Sequence, residues 1–352
     1  MSKQLTFTRL LYPKDEVIQS IWYCFENKTS YKECLFWCCE LYMSGFEKET
    51  MELLNLLYFC FISFHNKDLL LEINKLYKEW SLETDSKEKY VHDILNLLYN
   101  ENYSNLVYNF VKDYLNYVPD KFILYRGKKP DWLQDYDKDS HSFLQSLYKQ
   151  NKTNLFFILK KKNPKDIEKI ELVLNQYMNT KNLEYLYTEN VLHNEIIILC
   201  NIYRLLNNLH VEKKVTNTKD FSSFKKEDIT LLDYTSTFDE YYPSKVYKIL
   251  REKRIYNTRK NHIDQTVLSL QNTGKTWQQC YYDDWLYHAS FSPLWEKRIQ
   301  EYDGVIDHKN QKVDFDDSEI YQNDNTRFEE FYNHYNLEPD EQPIVYVEGV
   351  NG

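Results

Sequence analysis

Helix start and stop signals follow one another so closely in the first hundred residues that stacked helices are the natural product. Ser30-Tyr-Lys-Glu33 has the form of a capping box, in which the serine hydroxyl accepts from an orphan amide and Glu33 reaches back to the cap amide. The helix that follows places Cys34, Leu35, Cys38, Leu41 and Tyr42 on an apolar side and Glu33, Glu40 and Ser44 on a narrow polar stripe. Gly45 ends it. Ser44-Gly-Phe-Glu47 then offers a second capping box, so the next helix, Phe46 to Phe64, turns back on the first through a very short link. That helix is apolar nearly all round, which predicts a central position. Asp85-Ser-Lys-Glu88 opens another, carrying Val91, Ile94, Leu95, Leu98 and Tyr99. Short links favour antiparallel neighbours, hence a mainly α fold, either a multi-helical bundle or a solenoid-like array of helical pairs.

The pattern continues with helices expected at 102–117, 139–149, 164–179 and 189–208, interrupted by the loop Tyr125-Arg-Gly-Lys-Lys-Pro130. Val211 to Glu227 is poor in apolar residues and rich in Lys, Thr, Ser and Asn, the mark of a linker. The expected organisation is therefore a helical domain over 1–210, a linker over 211–227 and a mixed domain over 228–352. In the last of these, helices near 243–256 and 276–289 precede Ser292-Pro293, a hydroxyl cap with proline at the first helical position, which opens Leu294 to Tyr302. Val305 to Phe315 alternates around a polar centre like a hairpin, and Pro343 to Val347 reads as a last strand, so a small α+β region is expected at the C-terminus. No repeat of fixed period is evident.

A chain of 352 residues buries a sizeable core without difficulty, but its six glycines remove whole classes of function. Dinucleotide and phosphate cradles need closely spaced glycines, and neither GxGxxG nor a complete GxxxxGK[ST] occurs. The longest apolar run, Leu56 to Ile62, is seven residues, against the roughly 20 that cross a bilayer. The opening residues lack the apolar core of a secretory signal, which predicts a cytosolic address and free thiols for the seven cysteines. Residues 301–352 carry a charge of −11 while residues 1–300 stand at +1, so the acidity belongs to the C-terminal seventh. It reads as a solvated face or as an electrostatic docking tail.

Several constellations invite a chemical reading. Gly274-Lys275-Thr276 has the tail of a phosphate loop, but Ser269 stands where the first glycine permits the bend, and the acidic Asp233 lies upstream rather than downstream. Cys280, Asp284 and His288 step by four on one expected helix with Asp283 beside them; eight residues span about 12 Å, too far for direct proton transfer. Cys34, Cys38 and Cys39 fall inside a helical pattern and read as small buried thiols. Asp303, Asp307, His308, Asp314, Asp316 and Asp317 depart from the calcium-loop pattern and read as solvated hairpin side chains.

Basic residues cluster at Lys245, Lys248, Arg251, Lys253, Arg254, Arg259 and Lys260, with Tyr247 and Tyr256 between them. Lysine and arginine stems with aromatic faces suit either an acidic protein surface or phosphates and bases. Trp277, Tyr281, Trp285 and Trp295 form an aromatic segment suited to docking.

At Glu33-Cys-Leu-Phe-Trp-Cys-Cys-Glu-Leu-Tyr-Met-Ser-Gly-Phe-Glu47, and again at Glu338-Pro-Asp-Glu-Gln342, the chain resembles an uncharacterised protein family of giant nucleocytoplasmic large DNA viruses. A single alanine, few glycines and abundant Asn, Lys and Tyr track AT-rich codons and agree with such a source. The resemblance implies a product that works in host cytoplasm, viral factory or virion, and it supplies no activity and no functional residues.

Together these features lead to a non-enzymatic interaction protein: a scaffold, virion component or accessory subunit of a viral gene-expression or replication assembly. Its partners are expected to be other proteins, with nucleic acid possible, no membrane span, no cofactor and no metal. Two alternatives stay open. One is a nucleic-acid-binding accessory factor using 245–260, and the other a divergent nucleotide- or metal-dependent enzyme.

Overall fold

A computed structural model describes residues 5–12, 14–29, 31–84, 87–120, 122–125, 129–134, 136–161, 164–189, 194–208, 222–223, 283–317 and 325–335. The protein is mainly α-helical, with a two-stranded antiparallel hairpin near the C-terminus. Among the described residues the helices are α1 (Lys14–Asn27), α2 (Tyr31–Met43), α3 (Glu47–Leu57), α4 (Leu69–Leu82), α5 (Lys89–Tyr99), α6 (Leu106–Asn116), α7 (Lys138–Tyr148), α8 (Lys152–Lys161), α9 (Pro164–Thr180) and α10 (Asn194–Asn208). After them come α11 (Trp285–Ala289), α12 (Pro293–Glu301) and α13 (Arg327–Tyr335). No described helix is long and apolar enough to cross a membrane.

The chain divides into two compact units. The first gathers the described residues of Met1–Met51, Thr84–Leu95 and Glu227–Gly352. The sequence pattern groups residues 1–51 with the middle helices as part of 1–210; in the structure they share a core with 283–335. Leu5, Phe7 and Leu11 pack with Leu286, Trp295, Ile299 and Phe331. Ala289, the one alanine of the chain, is fully buried in that cluster. The junction is hydrogen-bonded as well as apolar. Phe7 N donates to His288 O (3.3 Å), the Trp295 indole to Thr8 O (2.9 Å) and the Ser292 hydroxyl to Ser44 O (2.6 Å).

This packing corrects the reading of α2. Its polar stripe does not face solvent: Glu40 and Ser44 are fully buried, because the segment 8–10 lies over them and takes their hydrogen bonds. The Ser44 hydroxyl donates to Glu40 O (2.5 Å) and accepts from Arg9 N (2.7 Å), so it is not spent on α3, and the second capping box does not form through it. Ser30, Asp85 and Ser86 of the other two boxes lie outside the described residues. Gly45 does end the helix. Its φ of +90° favours glycine, and a Cβ there would meet the Pro293 Cβ at 2.6 Å. Pro293 opens α12 as expected with Ser292 at the cap, although that hydroxyl serves Ser44 rather than the helix.

The expected helix over 46–64 is α3 continued by a π turn, Tyr58–Ile62, in which Ser63 N reaches Tyr58 O (2.9 Å). From Thr50 to Ser63 every residue is buried, in keeping with the all-round apolar pattern. The hairpin forms as read: β3 (Val305–Asp307) and β4 (Lys312–Asp314) pair with Ile306 opposite Val313. The strand expected at 343–347 and the helix at 243–256 lie outside the described residues, as does the 211–227 linker apart from Ser222–Ser223 (β2), which pairs with Asn102–Tyr103 (β1).

The second unit comprises Glu52–Glu83 and Asn96–Lys226. Here α7 packs on α8 and α9, while α10 packs on α6, α9 and the π turn. Two irregular segments run along these helices, one after α6 and one after α9.

Candidate interaction surface

After α6 the chain cannot remain helical, since Pro119 offers no amide and the residue before a proline avoids the α region. Apart from a 3₁₀ turn at Asp131–Leu133, it next forms a helix at α7, where the Asp137 carboxylate caps by accepting from Ser140 N (2.7 Å). The turn from α7 to α8 passes through Gln150 at φ +53°, and Asn151 caps α8 by accepting from Asn154 N (3.0 Å). The Asn151 amide also donates to the Tyr125 hydroxyl (2.7 Å), drawing the irregular segment onto this turn.

Asn154 holds that segment more firmly. Its Oδ1 accepts from Ile123 N (2.9 Å) and its Nδ2 donates to Ile123 O (3.1 Å), with a further bond from Nδ2 to the Ser146 hydroxyl (2.6 Å). A residue whose N–H and C=O both turn toward one partner has the geometry of a hydrogen-bonded strand pair, here with a side-chain amide as the partner. Because a trans peptide sets its C=O opposite its N–H, the Phe122 carbonyl and the Leu124 amide face away from Asn154. No other described residue hydrogen-bonds to either.

The side chains here are exposed: Val118 by 78%, Ile123 by 51% and Leu124 by 52%. Phe122 stacks on Phe157 of α8 (centroids 5.0 Å, interplanar 20°). Lysines flank the strip, with Lys161 Nζ over the Phe157 ring at 5.2 Å and Lys149 Nζ over the Tyr125 ring at 5.1 Å. Lys152 is paired with Asp113 (2.5 Å), but Lys149 and Lys161 have no carboxylate partner among the described residues. From Ser140 to Asn163 the sequence holds five lysines and no acid, while Asp113 pairs with Lys152 and Asp120 lies within the strip itself.

Other polar clusters hold the fold together. In the first unit burial pushes the Glu40 carboxyl up, against the pull of Arg9 and of hydrogen bonds from Thr8 and Leu10. Arg298 lies over the Trp295 and Tyr335 rings at 4.5 Å each, and burial lowers its pKa. In the second unit burial raises the Cys60 thiol, which lies against the Cys200 thiol.

The residues singled out in the sequence fare unequally. Lys245, Lys248, Arg251, Lys253, Arg254, Arg259 and Lys260 lie outside the described residues, as do Gly274 to Thr276, Trp277, Cys280 and Tyr281. Trp295 is no docking residue, being fully buried, and Trp285 packs against it edge-on (5.7 Å) and partly buried. His288 is buried with Phe7 edge-on to its ring (6.0 Å). Cys34, Cys38 and Cys39 are buried thiols, as the helical pattern implies. Among the described residues no group of three or more His, Cys, Asp or Glu is arranged to hold a metal. The strip at 118–125 carries no motif; its one sequence signal is an apolar run, Phe122 to Tyr125, between Pro119 and Pro130.

Comparison with protein-family models, curated proteins and solved structures finds no match to this chain.

Proposed function

We propose that this chain is a non-enzymatic protein-interaction subunit that docks through the strip from Val118 to Tyr125 and the lysines beside it. The observation that carries this reading is the exposure of consecutive aliphatic side chains on a backbone pinned by a buried asparagine. A solvated loop has no need of either. Fixing the strip beforehand lowers the ordering cost of binding, and apolar groups rimmed by charge are the composition of a protein interface. Lysines beside aromatic rings also suit nucleic acid, but exposed Val, Ile and Leu offer nothing to phosphates, which favours a protein partner. That the assembly is viral, at work in host cytoplasm, factory or virion, rests on the family resemblance of 33–47 and 338–342 alone.

The test is affinity purification of the tagged protein from source cells, with and without nuclease, beside a Val118→Asp/Leu124→Asp variant. Protein partners that survive nuclease and disappear with the variant are expected. Identical partners for both proteins, or recovery of nucleic acid with nuclease-sensitive partners, would overturn this reading.

A further inference from the structure

The second unit uses one device twice. Asn201 of α10 accepts from Leu186 N (2.9 Å) and donates to Leu186 O (2.8 Å), just as Asn154 of α8 does with Ile123. Both devices hold one residue of an irregular segment in a strand-like pose against a helix. Around Leu186 the molecule itself covers more of the segment: Leu186 and Thr188 are buried and the Thr188 hydroxyl donates to Asn74 Oδ1 (2.8 Å), while Tyr187 between them is 47% exposed. Around Ile123 the outward side of the backbone and the aliphatic side chains are uncovered among the described residues.

Resting on the docking reading above, we propose that Phe122–Tyr125 receives an extended peptide as an added strand, and that this peptide carries apolar side chains at its centre and carboxylates at both ends. The Leu124 amide donates to the incoming strand and the Phe122 carbonyl accepts from it, while Ile123 stays bonded to Asn154. Successive side chains of a strand point to opposite faces, so the alternate apolar side chains of the peptide lie on one face of the strip, beside Ile123 or beside Phe122 and Leu124. Lys161 stands at the Phe122 end and Lys149 at the Tyr125 end, so each terminus of a short strand meets an ammonium group with no carboxylate partner among the described residues. That charge arrangement selects an acidic peptide and rejects a basic one.

The probe is a fluorescein-labelled peptide, Glu-Asp-Val-Thr-Ile-Thr-Val-Asp-Glu, titrated with the full-length chain and read by anisotropy. A control peptide has Gln and Asn in place of its acids. Saturable binding of the acidic peptide, weakened about tenfold by Leu124→Pro, is expected. Proline deletes the outward N–H and tolerates an extended Ile123 before it. Lys149→Glu/Lys161→Glu should weaken the acidic peptide by about tenfold or more and leave the amide control nearly unchanged. Thermal unfolding checks that each variant is folded. Independently of any variant, the Leu124 amide of the wild-type chain should gain hydrogen-exchange protection when the peptide is added.

Equal binding by wild type and a folded Leu124→Pro chain, or no added protection at Leu124, overturns strand addition. Displacement of the peptide by oligo-dT at lower concentration than by unlabelled peptide overturns it in favour of single-stranded nucleic acid. Absence of peptide binding, with cellular partners still lost in Val118→Asp/Leu124→Asp, overturns strand addition while the docking surface stands. If peptide and partners are both indifferent to the strip, both readings fall.

Discussion

The segments held by Asn201 and Asn154 begin from the same hydrogen-bond geometry and end with opposite exposure: Leu186 is 3% exposed and Ile123 is 51% exposed. Around Leu186 the molecule covers much of the segment, although Tyr187 is 47% exposed. The Tyr185 hydroxyl donates to Glu171 (2.9 Å), and Arg204 donates to Glu184 O and to Asn201 Oδ1 (3.1 Å each). Around Ile123 the neighbours are a stacked Phe122–Phe157 pair and lysines whose ammonium groups face outward over rings. An amide staple therefore sets backbone direction only. What packs on the outward face is a separate property of the sequence, and at 122–125 no described residue supplies it.

The largest effect that sharpens this contrast comes from charge placed at equivalent points. Leu186→Asp forces a carboxylate into a closed core and should cost about 4 kcal/mol in urea unfolding, whereas Leu124→Asp should change stability by less than about 0.5 kcal/mol. A large loss in Leu124→Asp would mean that the strip is already covered within the chain, and the comparison would break. Next in size are the staples. Asn201→Ala removes bonds to Leu186 N, Leu186 O, Ile197 O and the Arg204 guanidinium from a fully buried site, for which about 3 kcal/mol is expected. Asn154→Ala leaves Ile123 N and O able to reach water, and about 2 kcal/mol is expected, with faster proteolysis confined to the 117–137 segment.

Much of the helical framework was legible because its signals are local. Gly45, the Ser292-Pro293 start, the all-round apolar run before Phe64 and the alternation around Asp307 each act within a few residues, and each appears where the pattern puts it. Helices α1, α4 and α8 escaped because their ends carry no capping box or glycine, and α8 is capped by Asn151 within a polar turn that reads as loop. Long-range pairing was not legible at all. Nothing near Glu40 says that residues 8–10 will cover it, and nothing near Ser292 says that its hydroxyl will serve Ser44, 248 residues away. The pinned strip at 122–125 was missed for the same reason: Asn154 lies 31 residues from Ile123, and an asparagine inside a helical run looks only like a weak helix former.

The smallest effect is a pH dependence that belongs to the closed segment and has no counterpart at the open one. Burial raises the Glu171 carboxyl above its usual value of 4.5, with Glu168 adding to the rise and the Tyr185 hydroxyl opposing it. In the window between the unfolded value and the raised one, the folded chain binds more protons than the unfolded chain. The group's contribution to stability is thus complete below the unfolded value and is lost as pH rises through the folded one. Glu40 shifts in the same direction, so the wild-type profile alone does not isolate Glu171. The difference between wild type and Glu171→Gln does. Glutamine keeps an acceptor for Tyr185 and carries no charge, so the variant should match wild type near pH 4 and be modestly more stable at pH 7, read as urea midpoints. Equal midpoints at both pH values would show that Glu171 is ionised at no extra cost, and that the segment around Leu186 is more open to water than its packing implies.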